Sequence, residues 1–253
     1  MDDLLAFTGW MMLIADCERN LIKIIQAVRP SIWSDLKNLK ERKWVEEIQP
    51  QMEALGWRNV LDVDFEHHGQ KGQIDLVVIE SKQRFGVAFE LKWLTGPDTA
   101  SEMRVFEAEI QKGTKQAKLA AQWLNSRTDT VAKRLSIAES ELEGFAFESI
   151  VMTRPAFGSG RTYVPNVPIV NPELLTLITD AVQSDLRLLW TIADQGEFMP
   201  REGEHFATLD VEHTFGHLRF LAEKFGSITL TKWNPAAELK AAVEKYRAHR
   251  CTR

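Results

Sequence analysis

The sequence predicts an α/β or α+β fold, because strand-length and helix-length apolar patterns interleave along it. Two stretches carry most of that reading. GQIDLVVIESKQRFGVAFELKW (72–93) reads as two apolar strands joined at the polar turn Ser81–Arg84. Residues of about 100–126 repeat apolar side chains at helical spacing, with Met103, Phe106, Ile110, Ala117, Ala121 and Leu124 on one stripe.

The elements follow in order. Residues 3–28 read as a helix, stopped before Pro30. A second helix is expected over about 34–55, with Ser34 as N-cap, Gly56 past its end, and a stripe of Val45, Ile48, Met52 and Leu55. Pro50 is expected to kink or split it. A strand around 57–66 precedes the hairpin, and Gly96-Pro97-Asp98 breaks the chain before the long helix. GFAFESIVMTRP (144–155) reads as another strand, FGSGRTYVPNVP as loop, and Pro172 as the start of a helix. Beyond 185 come a helix near 185–193, an acidic loop, a mixed segment to 225, a short strand SITLTKW and a last helix over 235–249.

LLAFTGWMMLIA (4–15) has no charge but is far shorter than the roughly 20 residues a membrane span takes. It follows Asp2-Asp3, unlike a secretory signal. The expectation is a packed helix, without export or membrane. Cys17 and Cys251 make no disulfide framework and suit a reducing cytoplasm. The net charge of −5 argues against coating nucleic acid by bulk electrostatics. It leaves room for a nucleic-acid enzyme, because the charge is unevenly spread. Lys112, Lys115, Lys118, Arg127, Lys133 and Arg134 stand against Asp129 alone in 112–134, and 194–212 is acidic.

The hairpin carries the chemistry. With a turn symmetric about Lys82-Gln83, paired residue numbers sum to 165. Ile74, Leu76 and Val78 then face Leu91, Phe89 and Val87, an apolar side. On the other side Val77 faces Ala88, Asp75 faces Glu90 and Gln73 faces Lys92. A one-residue slip would part the carboxylates. Side by side and covered by neighbours such as Val77, Ala88 and Ile79, they repel, so something positive must compensate. Lys92 helps one of them. A divalent cation held by both suits hard oxygen ligands, which points to Mg²⁺ or Mn²⁺ and not zinc. Metal-assisted hydrolysis of a phosphodiester fits such a group, with Lys92 beside the attacking water or the developing charge.

Ile74-Asp75, then fifteen residues to Glu90-Leu91-Lys92, resembles the PD-(D/E)XK nuclease superfamily. The order of elements over about 44–182 is similar too. The resemblance implies a restriction-endonuclease-like core, a mixed central sheet flanked by helices, over 34–184. An N-terminal helical extension (1–33) and a C-terminal α/β region (185–253) for specificity or oligomerisation would be additions. It implies Asp75 and Glu90 as metal ligands and Lys92 as the catalytic lysine. A glutamate of the first core helix often joins them; Glu46 and Glu47 both remain open, with Glu46 preferred for its place beside Val45. Lys112, Lys115 and Gln116 are the candidates for a nucleic-acid-contacting Lys or Gln on the long helix. The proline of the family motif is Ile74 here. The implied function is a cytoplasmic Mg²⁺-dependent nuclease, Mn²⁺ substituting, acting on DNA in restriction, repair or phage defence. A homodimer or a protein partner is left open. The rivals are a non-cleaving assembly subunit on the same fold and an RNA-directed hydrolase.

Plainer readings stand beside these. Glu-x-Lys is common on solvated hairpins, and most helical glutamates and lysines are simply hydrated. His67-His68 reads as a polar strand end, with no Cys or His at zinc spacing. Arg154 and Arg161 flank a plain turn. Trp10, Met11 and Met12 read as packing residues, and the acidic run as a solvated loop.

Overall fold

The computed structural model describes residues 17–94, 100–154, 166–196, 206–215, 218–227 and 234–251. The elements are α1 (Cys17–Val28), α2 (Pro30–Ala54), β1 (Arg58–His67), β2 (Gln70–Glu80), β3 (Phe85–Trp93), α3 (Ala100–Ser126) and α4 (Thr128–Leu135). After a 3₁₀ turn (Glu139–Leu142) come β4 (Ala146–Arg154), β5 (Ile169–Val170), α5 (Pro172–Val182), α6 (Leu186–Gln195), β6 (Phe206–Phe215), β7 (Leu218–Ser227) and α7 (Pro235–Cys251).

The fold is mixed α/β. One sheet has the order β1-β2-β3-β4-β5, antiparallel through β3 and parallel from β3 to β5. A parallel step needs a crossover, and α3 with α4 supplies it between β3 and β4. Helices cover both faces. Val45, Ile48 and Met52 of α2 pack with Leu76, Val78, Phe89 and Leu91 on one face. Ala120, Trp123 and Leu124 of α3 pack with Val77, Ile79 and Ala88 on the other. Both sides of the hairpin are therefore core, which is why apolar residues run through Leu76–Ile79 and Phe85–Phe89 without alternating with polar ones.

The hairpin register is as the sequence predicts: Leu76 pairs with Phe89, Val78 with Val87 and Glu80 with Phe85. Its end differs. The β2–β3 ladder stops at Leu76 and Phe89, so Asp75 and Glu90 are not ladder partners. The β1–β2 ladder also misses one step at the same place. Leu61 pairs with Leu76 and Val63 with Ile74, while Asp62, opposite Asp75, is left out and holds φ 52°. The break turns the strand. Ile74 lies in the cluster with Val77 and Ile79, not with Leu76 as strict alternation requires.

Two helix boundaries also differ from expectation. α2 begins at Pro30, not at Ser34, because a proline without an N–H is preset for the first helical turn. It runs unsplit through Pro50, which is exposed, so the carbonyl it leaves unpaired faces solvent. Gly56 follows at φ 80°. The acidic run is not all loop: residues 206–212 lie in β6, which pairs with β7 from Phe206–Ser227 to Phe215–Leu218. FATLDVEHTF alternates apolar and polar residues, a strand pattern that its charge obscured. Residues 3–16, most of SITLTKW and most of the Gly-Ser loop lie outside the described residues.

The boundary expected at residue 34 falls inside α2. The one expected at 185 divides a single core, since Leu186, Leu188, Leu189 and Ile192 of α6 and Leu239 and Val243 of α7 share the α2-side cluster. Trp57 Nε1–H donates to the Ser184 carbonyl at 2.9 Å, and buried Glu80 accepts the Leu186 N–H at 2.8 Å, which fastens α6 to the sheet. No described helix is long and apolar enough to cross a membrane.

Candidate active site

Where β2 parts from β3, the N–H groups of β3 that would have met β2 need other acceptors. Two carboxylates provide them. Asp75 Oδ2 accepts the Leu91 N–H at 2.7 Å. Glu41 Oε1, reaching in from α2, accepts the Trp93 N–H at 2.8 Å. Glu90 and Lys92 project from the same stretch of β3. Glu90 is 6% and Lys92 8% exposed, and Lys92 Nζ donates to Glu90 Oε1. The stem of Lys92 lies against α3 at Gly113, where an added Cβ would stand 3.2 Å from Cε and 3.3 Å from Cγ. A helix-interior glycine costs about 1 kcal/mol relative to alanine, and here it makes the space the lysine occupies.

The electrostatics are strained without a cation. Burial first, then the Glu90 charge, push the Asp75 carboxyl up to about 7, against the opposing hydrogen bond from Leu91. Glu90 and Glu41 are also raised, in each case chiefly by burial. Burial alone would lower Lys92, but Glu90, Asp75 and Glu41 outweigh it and hold the ammonium charged. Lys37 of α2 stands 3.7 Å from Glu41 and adds positive charge at the rim.

The sequence reading is met in part. Asp75, Glu90 and Lys92 come together. Glu46 does not join them: its side chain is 64% exposed and stands 3.8 Å from Arg42. Glu47 is exposed as well. Glu41 fills the place, with its side chain 18% exposed. The signal was present, because 41, 45, 48, 52 and 55 continue the buried stripe one step backward. Glu46, a neighbour of Val45, is about 100° off that stripe, as 3.6 residues per turn requires.

Two clefts meet here. One, of about 320 Å³, is lined by Asn38, Glu41, Asp62, Gln73 and Asp75 among others. The second, of about 280 Å³, runs between β2 and α3 past Lys71, Gln73, Lys112, Lys115 and Gln116. Gln73 borders both, so the three predicted α3 side chains lie along a groove that leads to Asp75. Within it Gln116 Oε1 is buried and lacks a hydrogen-bond partner among the described residues. His67 and His68 contact each other, ring centroids 4.1 Å apart, at a strand end.

A divalent cation is a fair test of this donor set. Among the described residues, no three His, Cys, Asp or Glu side chains form a group that could hold a metal ion. Two carboxylates do converge, and each has one oxygen not used in its bond to Leu91 N–H or Lys92. An all-oxygen pair suits Mg²⁺, which keeps several of its waters and needs few protein ligands. The mutual repulsion of Asp75 and Glu90 is a charge imbalance that such an ion would relieve. Glu41 spends one carboxylate oxygen on the Trp93 N–H, which ties α2 to the end of β3.

No protein-family model matches the chain, and no curated protein sequence is significantly similar to it.

Proposed function

We propose that this protein is a Mg²⁺-dependent nuclease that hydrolyses phosphodiester bonds in DNA, in the manner of the PD-(D/E)XK superfamily that its motif resembles. The observation that carries the reading is a buried Lys92 held by Glu90 beside Asp75, at the point where β2 and β3 separate. Ordinary surface hairpins do not bury a lysine between two carboxylates, because the desolvation is costly.

Asp75 and Glu90 would hold the cation through their second oxygens. A Mg²⁺ ion held there would supply the positive charge needed to polarise a phosphoryl oxygen and to acidify a water. Lys92 Nζ, kept cationic by its neighbours, orients the attacking water or offsets charge gathering on the phosphoryl oxygens. Glu41 fixes the end of β3 from which Lys92 projects. Lys71, Lys112 and Lys115 border the groove leading away from Asp75 and would contact the phosphates of the strand, which positions it without reading sequence.

Purified protein incubated with linear duplex, plasmid and single-stranded DNA, and with RNA, in Mg²⁺, Mn²⁺ or EDTA tests this. Metal-dependent DNA cleavage should fall at least about 100-fold in Lys92→Ala and in Asp75→Asn. Cleavage that survives both would refute the site. Cleavage of RNA alone would move the substrate, not the mechanism.

A second reading, a non-cleaving assembly subunit, is favoured by one observation. Leu21, Ile24 and Val28 form an exposed apolar stripe on α1, a surface that a protein partner would cover. Retained biological function in Lys92→Ala, with loss on charging Ile24, would select it.

A further inference from the structure

At the C-terminal end of β3, beside the proposed catalytic group, a cavity of about 420 Å³ opens between α1, α2 and α3. Its volume is at the small end of the ~300–1,000 Å³ of small-molecule sites, a size for one nucleoside and not for stacked bases. Trp33 of α2 and Trp93 of β3 form one wall, in contact with ring centroids 5.3 Å apart, and both stay partly exposed. Charges of both signs surround the wall: Lys23 and Lys37 line the cavity with Glu102 and Glu109, and Lys23 is paired with Glu102 at 2.8 Å. Lys40 Nζ lies 5.6 Å from the Trp93 ring centroid, and Lys37 lines the cavity while reaching Glu41 at 3.7 Å.

The cavity is tied to the catalytic group by three links. Trp93 follows Lys92 in the chain, and its N–H is the one Glu41 accepts. Lys37 belongs to both places. Glu109, on the cavity wall, lies four residues before Gly113, which puts it one helical turn from the seat of Lys92. A pocket walled by two indoles tilted 33° to each other, so near a proposed phosphate-cleaving group, suits a nucleobase, whose π-face stacks on indole whatever its identity. A base still paired in a duplex cannot enter such a pocket.

We propose that this cavity receives one unpaired base adjacent to the scissile phosphate, stacked on Trp33 and Trp93, so that the substrate is a DNA strand that is locally single. The proposal rests on the nuclease reading for the position of the phosphate. The carboxylate of Glu109 on the wall would favour bases bearing an amino group, as carboxylates accept from cytosine N4.

The test is fluorescence anisotropy in EDTA, with labelled single-stranded deoxyoligonucleotides and blunt duplexes of the same sequence. Wild type should bind the single strand more tightly. Trp33→Ala should weaken that binding about 5- to 100-fold while changing duplex binding little, and Trp33→Phe should restore most of it. Should Trp33→Ala fail to fold, Trp33→Leu against Trp33→Phe decides, since leucine keeps apolar bulk without a flat face. Equal affinity for single strand and duplex, or a Trp33→Leu protein that binds like Trp33→Phe, would overturn the pocket. The two readings fail separately. A protein that cuts nothing but binds single strands through Trp33 loses the nuclease and keeps the pocket. One that cuts duplex and single strand alike, whatever stands at residue 33, loses the pocket and keeps the nuclease.

Discussion

Asp75 contributes a pH dependence to stability, and raised Glu90 and Glu41 add to it with the same sign. Its folded-state pKa of about 7 lies above the ordinary 3.8, so the metal-free folded protein holds an extra proton between about pH 4 and 7. Stability is therefore lost as pH rises through that window, and the penalty is complete above about pH 7. Asp75→Asn removes the charge and keeps an oxygen for the Leu91 N–H. In EDTA at pH 8 this variant should melt a few degrees above wild type, and the gap should close as pH falls toward 4. Mg²⁺ should raise the melting temperature of wild type and not of the variant. Calorimetry across pH, with and without Mg²⁺, measures both. Two glutamates only five residues apart make the second contrast. Glu41→Ala orphans the partly buried Trp93 N–H, a loss of about 1 kcal/mol, and should lower cleavage with it. Glu46→Ala should leave melting within about 0.5 kcal/mol of wild type and activity unchanged. The motif was legible in the sequence because Asp75, Glu90 and Lys92 sit on one hairpin whose register its own pattern defines. Glu41 is marked more faintly, as one of five acidic residues on α2, singled out only because it continues the stripe of Val45, Ile48 and Met52 one step backward.

Between α3 and β3 the fit is close, and activity can be separated from stability there. Gly113→Ala should improve helix propensity by up to about 1 kcal/mol while forcing the Lys92 stem to move by a few tenths of an ångström. The expected outcome is an unchanged or higher melting temperature with cleavage lowered on the order of tenfold, since small misplacements of catalytic groups are costly. Steady-state rates beside a thermal melt decide it. The helix itself was readable over about 100–126, because its apolar stripe is long. α3 is also pinned to β4 by Asn125, whose amide accepts the Phe147 N–H at 2.9 Å and donates to the Phe147 carbonyl at 2.8 Å. The start of α2 was misread because Pro30 both follows one helix and opens the next. Strand β6 was missed because Asp210 and Glu212 read as loop when counted as charge and as strand when counted as alternation.

Across the whole molecule the α2-side core spans nearly the full length of the chain. Burying a Leu, Ile or Val contributes about 1.5–3 kcal/mol, and α6 and α7 bring Leu186, Leu188, Leu189, Ile192, Leu239 and Val243 to that cluster. Their sum rivals the 5–15 kcal/mol by which domains of ordinary size are stable. A chain ended after Ser184 should therefore lose its cooperative melt, as circular dichroism would show, although the whole resembling motif remains in it. The sequence marks these helices by periodicity but not their destination, since an amphipathic face does not name what it packs on. The fork between β2 and β3 has one more effect, on the company the protein keeps. Past Leu76 and Phe89 the edge of β3 carries backbone donors that face no strand, the template on which foreign chains add themselves to a sheet. Asp75 and Glu41 occupy those donors with charge, so the groups that make the site unstable alone also guard it against aggregation.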